Sequence, residues 1–238
     1  MQDGPRTLTE TDLTATTTTQ LTQLGAQGIT EDGRQFRYVK AGAAINGGQL
    51  AVAAALSSNS TALVIPAQAV TNLAAGSTQL IVTNGSTAVA QNQFAEGFVE
   101  VLGANGGYAV RISGNTAAAG AGAITLQLAE VLPAAVVAGT NTVNLTASPY
   151  SGVVTSTTAS LPIGVARAAI ASGSYGWVQT YGHALIAATG AITKGAGISQ
   201  DASTTAGNVS AASGAGYQVA VAKEAAANSF VSARIVID

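Results

Sequence analysis

The chain has 238 residues, nine Lys and Arg against eleven Asp and Glu, a net charge of −2, one histidine and no cysteine. Nine scattered cations do not build the basic face that nucleic acid requires, and without cysteine there are neither disulfides nor thiolate metal sites. Charged residues make up only 8% of the sequence, against roughly 25% in an average soluble protein, and no run approaches the ~20 apolar residues of a membrane-spanning helix.

Residues 1–29 read as an extended arm. Thr14 to Gln20 is almost entirely threonine, and Leu8, Leu13, Leu21 and Leu24 are too sparse to build a core alone. A threonine run suits a strand added to the edge of another sheet. The opening MQDGPRTLTE has neither the basic region nor the apolar stretch expected of a secretory signal. Charge is concentrated at this end: Asp3, Arg6, Glu10, Asp12, Glu31, Asp32, Arg34, Arg37 and Lys40 all lie in the first forty residues.

From Gly33 the pattern alternates. Arg34, Phe36, Tyr38 and Lys40 fall on one side of a strand, with Gln35, Arg37 and Val39 on the other. Gly47-Gly48 marks a turn, and Gln49 to Ala53 continues as a strand. Residues 61–149 read as a run of short strands. Thr78 to Thr83 is β-branched and ends at Asn84-Gly85, a hairpin dipeptide. Phe98 to Leu102 and Tyr108 to Ile112 flank a glycine-rich turn and form the clearest hairpin. Ile124, Leu126 and Leu128 alternate with polar residues, and Val143 and Leu145 give a further short strand.

Beyond Pro149 the strand signals resume at Ile163 to Ile170, Tyr175 to Tyr181, Tyr217 to Ala222 and Val231 to Ile237. The short spacing of strands and turns indicates an all-β barrel or sandwich rather than βαβ units. Three alanine-rich stretches, Ala51 to Leu56, Glu130 to Ala138 and Lys223 to Ala227, have the composition of single helical turns.

Residues that could carry chemistry are few. His183 would have to serve any Ser-His-Asp set, and no G-x-S-x-G elbow accompanies it. Glu96 and Glu100, four apart on a strand, would stand about 13 Å apart, beyond the roughly 5–9.5 Å of glycosidase carboxylate pairs. Glu31-Asp32 reads as a turn cap before Gly33, and Asp201 and Glu224 have no acidic neighbours in sequence. Gly190 to Gly195 has the composition of a phosphate loop but not its order. The expectation is a structural or binding module, not an enzyme, with no cofactor and no metal.

Four stretches carry a resemblance: Asp32-Gly33-Arg34-Gln35-Phe36-Arg37-Tyr38-Val39-Lys40-Ala41-Gly42, Ser148-Pro149-Tyr150-Ser151-Gly152-Val153-Val154, Gly164-Val165-Ala166 and Tyr175-Gly176-Trp177-Val178-Gln179-Thr180. With these the chain resembles the capsid cement, or head-decoration, proteins of tailed bacteriophages. The resemblance implies a β-barrel or β-tulip-like domain that binds the outer surface of the phage head as a homotrimer and stabilises contacts between capsomers of the major capsid protein. It implies no nucleic-acid or membrane partner. On this reading residues 30–60 with 150–238 form the capsid-binding domain, residues 61–149 an inserted second small β domain, and residues 1–29 the arm. Arg34, Phe36, Arg37 and Tyr38 are expected to touch the shell, because charge gathers at that end, and Trp177 and Tyr181 to sit in a core or an intersubunit seam. The competing assignment is a tail component: a fibre, tube or baseplate β protein.

Overall fold

Alternation of apolar and polar side chains governs most of this chain, and strands follow from it. The computed structural model describes residues 4–54, 65–69, 73–83, 88–103, 106–156, 160–201, 204–212 and 217–237. Among them are seventeen strands and one five-residue helix, so the protein is all-β. The chain divides into two units, Met1–Ala54 with Pro149–Asp238, and Ala55–Ser148 inserted between them.

The first unit opens with β1 (Arg6–Thr7), α1 (Glu10–Thr14), β2 (Gln27–Ile29), β3 (Gln35–Ala41) and β4 (Leu50–Val52). The inserted unit holds β5 (Ile65–Ala69), β6 (Gln79–Thr83), β7 (Phe98–Gly103), β8 (Gly106–Asn115), β9 (Ala123–Leu128) and β10 (Thr142–Thr146). The first unit resumes with β11 (Ser151–Val153), β12 (Pro162–Ala166), β13 (Tyr175–Ile192), β14 (Gly197–Gln200), β15 (Val209–Ala211), β16 (Gln218–Ala222) and β17 (Ala226–Val236).

The inserted unit is a closed six-stranded barrel in the order β10-β5-β6-β9-β8-β7. Its β7–β8 hairpin pairs from Phe98↔Arg111 to Gly103↔Gly106, and closure comes from β7 pairing with β10, Val99 opposite Leu145. Inward positions alternate along β6, β7, β9 and β10, as barrel geometry requires. Leu80, Val82, Val99, Val101, Val110, Ile112, Ile124, Leu126, Val143 and Leu145 are all buried in one core. Asn115 is a buried polar residue of this unit. It takes a hydrogen bond from the Phe94 N–H and donates to the carbonyls of Ala90 and Thr116.

In the other unit, 18-residue β13 runs through an eleven-stranded sheet and pairs with four other strands. Its first part pairs with β3, Trp177 opposite Tyr38, and with β12. Its second part pairs with β17 from Tyr181↔Val236 to Ile192↔Ala226. The pairings β13–β15, β15–β14, β14–β16, β16–β17 and β17–β13 close a second circuit of strands. Ile186, Ile198, Val209, Val219, Val231, Ala233 and Ile235 are buried together within it. The changeover falls at Gly182, whose φ of +100° only glycine adopts without strain. The Gln179 side chain braces it, its Nε2 donating to the carbonyls of Tyr181 and His183 at 3.0 and 2.9 Å.

Several local expectations change. Of residues 1–29, expected as an extended arm, the described residues 4–29 lie against their own unit: β1 pairs with β2, β2 with β3, and Leu8 and Leu13 are buried. Two sparse leucines are enough because the aromatic residues they pack on come from elsewhere in the chain. None of the three alanine-rich stretches supplies a helix among the described residues. Ala51 lies in β4, Glu130 to Ala138 is irregular with one bridge at Val136↔Leu73, and β17 begins at Ala226. Strand pairing overrides alanine's weak helical preference. Burial along the expected strand Tyr217 to Ala222 does not alternate throughout. Val219 and Ala220 are both buried and Val221 is exposed, beside a register shift at Ile198/Ser199 in the β14–β16 pair. The Asn84-Gly85 dipeptide lies outside the described residues.

Leu126 is fully buried at the centre of the six-stranded barrel. Leu126→Ala leaves a cavity there and is expected to cost the inserted unit about 2–5 kcal/mol, read as a lowered denaturant midpoint with unchanged slope.

Candidate interaction surface

β3 and the first part of β13 contribute to a core on each face of the sheet. On one side Leu8, Leu13, Phe36, Tyr38 and Trp177 form a small core. On the other, Val39, Ala41, Ile45, Val153, Ile163, Ile170 and Val178 form a second. Alternation along β3 therefore sends Phe36 and Tyr38 to one core and Val39 and Ala41 to the other.

This decides where the expected contact residues stand. Phe36 is 0% and Tyr38 3% exposed. Neither can meet a partner in this arrangement, and both are core residues. Tyr38 stacks on Tyr175 at 5.9 Å and tilts against Trp177 at 5.1 Å, and its hydroxyl accepts from the Leu21 N–H. Arg37 is half-buried and donates from Nη1 to the Gly25 carbonyl at 3.1 Å. Arg34 lies over the Phe36 ring at 5.9 Å and pairs with Glu10 at 2.5 Å and Asp32 at 2.7 Å. Trp177 is buried with this aromatic core. Tyr181 is half-buried on the circuit's outer side, with Arg234 stacked on its ring at 5.1 Å and donating to its hydroxyl.

The charge at this end is therefore largely matched within the chain. Glu10 on α1 also reaches Arg167 at 3.4 Å, and Arg6 pairs with Asp12 at 3.2 Å. Thr9 and Asp12 form a reciprocal capping box that starts the helix. Three carboxyls sit below their ordinary pKa. Hydrogen bonding from Arg34 holds Glu10 down, that from Thr9 holds Asp12 down, and that from Thr30 holds Asp32 down.

The segment 4–14 thus acts as a strap on an aromatic seat. Gly28 makes the seat fit: a Cβ there would lie 2.2 Å from Leu8 Cδ1 and 3.1 Å from Trp177 Cζ3. Sequence reasoning missed Leu8, Glu10, Leu13 and Gly28 as a unit. The legible signal was Thr9-x-x-Asp12, the spacing of a capping box. Because residues 1–29 carry β2 and half of this core, deleting them dismantles the sheet as well as any outward contact.

A second exposed feature lies on the outer face of β13, β16 and β17. Leu185 is 56% and Phe230 47% exposed, and Val221 and Val236 are exposed beside Arg234. Leu185, Phe230, Gly48 and Arg167 border a shallow depression of about 170 Å³. His183 is exposed on the same strand, opposite Arg234.

The other titratable candidates do not converge. Glu96 has a positive φ of 63° in the turn before β7, and Glu100 on β7 accepts from Asn144 Nδ2 at 3.5 Å. Asp201 is buried and accepts from the Thr204 hydroxyl and from the backbone N–H groups of Thr204 and Thr205. Glu31 and Glu224 are exposed. Among the described residues no three His, Asp or Glu gather as a metal site. Compared with models of protein families, the chain matches none. It matches no curated protein and no solved structure.

The lowered carboxyl pKa values give the strap a pH dependence of definite sign. Groups depressed in the folded state contribute in full above their ordinary pKa, roughly 4, and the contribution is lost as pH falls through the folded values. Quenching of Trp177 by acrylamide should therefore stay low at neutral pH and rise in acid below about pH 4. Glu10→Gln should raise quenching already at neutral pH and flatten the acid dependence.

Proposed function

We propose that this protein is a structural virion component, a capsid cement protein that binds the outer surface of a phage head as a homotrimer and ties together capsomers of the major capsid protein. The observation that carries this reading is where the four resembling stretches fall. Asp32 to Gly42 contains β3, Ser148 to Val154 contains β11, Gly164 to Ala166 lies in β12, and Tyr175 to Thr180 opens β13. These strands are neighbours: β3 pairs with β11 and β13, and β13 with β12. Stretches far apart in sequence thus form one continuous framework, as expected if the resemblance is to a fold rather than to scattered words.

The surface is compatible with such work. A cement protein acts through buried area, and the cores of subunit interfaces are depleted of charge. The apolar face carrying Leu185, Val221, Phe230 and Val236 is the best surface for contacts of that kind. With Phe36 and Tyr38 in the core, that face replaces the β3 residues as the expected contact region. Individually weak contacts repeated on a lattice add through effective concentration.

Quantitative mass spectrometry of purified particles from the source tests the assignment. A copy number comparable to that of the major shell protein is the expected result. A small fraction of that number would move the protein to the tail, and absence from particles would end the virion reading.

A further inference from the structure

The strap and its seat form a self-contained recognition pair. Leu8 and Leu13 enter the core of Phe36, Tyr38 and Trp177. The Leu8 N–H donates to the Ile29 carbonyl at 2.9 Å, and β1 lies parallel to β2 with Thr7 opposite Ile29. Glu10 engages Arg34 and Arg167 at the rim. These contacts join residues 6–13 to the seat and do not involve the connector that follows.

That connector is largely exposed, with Thr17 exchanging two backbone hydrogen bonds with Tyr175 and Leu24, at its end, packing on the aromatic core. Ala15, Thr16, Thr18, Thr19, Gln20, Leu21 and Gln23 are exposed. Its backbone meets the sheet through the bridge Thr17↔Tyr175, and the Leu21 N–H reaches the Tyr38 hydroxyl. Leu21 is 66% exposed. Nine residues of connector span up to roughly 30 Å when extended, enough to reach beyond the parent sheet.

We infer that the Gly28–Phe36–Tyr38–Trp177 seat is also an interaction surface for a second copy of this chain, whose strap, residues 4–14, exchanges into it. Every contact the strap makes in its own seat is available in an identical neighbouring seat. The two arrangements therefore differ chiefly in connector strain and effective concentration, the condition under which domain swapping is cheap. An intramolecular strap competes at an effective concentration in the millimolar range, which copies packed side by side can match. The inference needs neighbouring copies only and does not rest on the virion reading.

The absence of cysteine makes disulfide trapping clean. Full-length Thr7→Cys and Ile29→Cys chains, positions that face each other across the β1–β2 pair, are mixed at millimolar concentration under mild oxidation. Products are resolved on non-reducing gels and identified by mass spectrometry. The Thr7→Cys, Thr193→Cys mixture, with Thr193 exposed in the β13–β14 turn, measures chance collision. Exchange predicts a Thr7–Ile29 interchain link about tenfold above that control and rising with concentration. The Thr7→Cys/Ile29→Cys double variant, kept dilute, should close within one chain and show that the seat is intact. An interchain link no more frequent than the control, with the double variant closing normally, overturns exchange. Failure of the double variant to close overturns the seat itself. Adding Gly28→Ala, which drives a Cβ into Leu8, should abolish both links; persistence of the interchain link would show that it forms without the seat and overturn the inference.

Discussion

The first unit depends on one strand that changes partners along its length. β13 enters as the partner of β3 and β12 and leaves as the partner of β17 and β15. Such a strand has to change direction without leaving its carbonyls unsatisfied. Glycine at 182 supplies the backbone conformation, and the Gln179 amide holds the two carbonyls on either side of it. The strap core lies on one side of this changeover and the closed strand circuit on the other. A side chain at position 182 would press on Arg34, since a Cβ there falls 2.9 Å from Arg34 Cγ. The bend thus lies close against Arg34 of the charge cluster at the strap.

How far the sequence revealed this depends on the range of each interaction. The β7–β8 hairpin was legible because its alternation and its turn are local. The six-stranded closure was not, because β10 finds β5 and β7 tens of residues away, and alternation names a face without naming a neighbour. The same limit explains Phe36 and Tyr38. Their period placed them together correctly, but an alternating strand looks alike whether its second face meets water or a second core. The strap was hidden for a related reason. Leu8 and Leu13 form no pattern by themselves and acquire meaning only from Trp177, more than 160 residues later. The exposed pair Leu185 and Phe230 lies within apolar-rich strands, where nothing in the spacing separates inward from outward residues.

The distribution of charge has a simple physical sense once the fold is known. Arg34 neutralises Glu10 and Asp32, while Arg6 faces Asp12. Exposed pairs of this kind contribute little stability, about 0–1 kcal/mol each, but they orient. They fix where α1 sits over a seat whose affinity is hydrophobic. Elsewhere the surface relies on Thr, Ser, Asn and Gln, and the apolar side chains on the outer face of β13 and β17 stand among few charges.

The insertion of the barrel has a consequence for chain entropy. Val52 and Val154 exchange backbone hydrogen bonds at 2.8 and 3.0 Å, although about a hundred residues separate them. Within the barrel, β5 and β10 lie side by side, with Ile65 opposite Leu145. Once the barrel has formed, its entry and exit are already neighbours. The loop that Val52 and Val154 must close then shrinks to roughly twenty residues, which lowers the closure entropy by about 1.4 kcal/mol. A domain-sized interruption therefore weighs on the surrounding fold much as a moderate surface loop does.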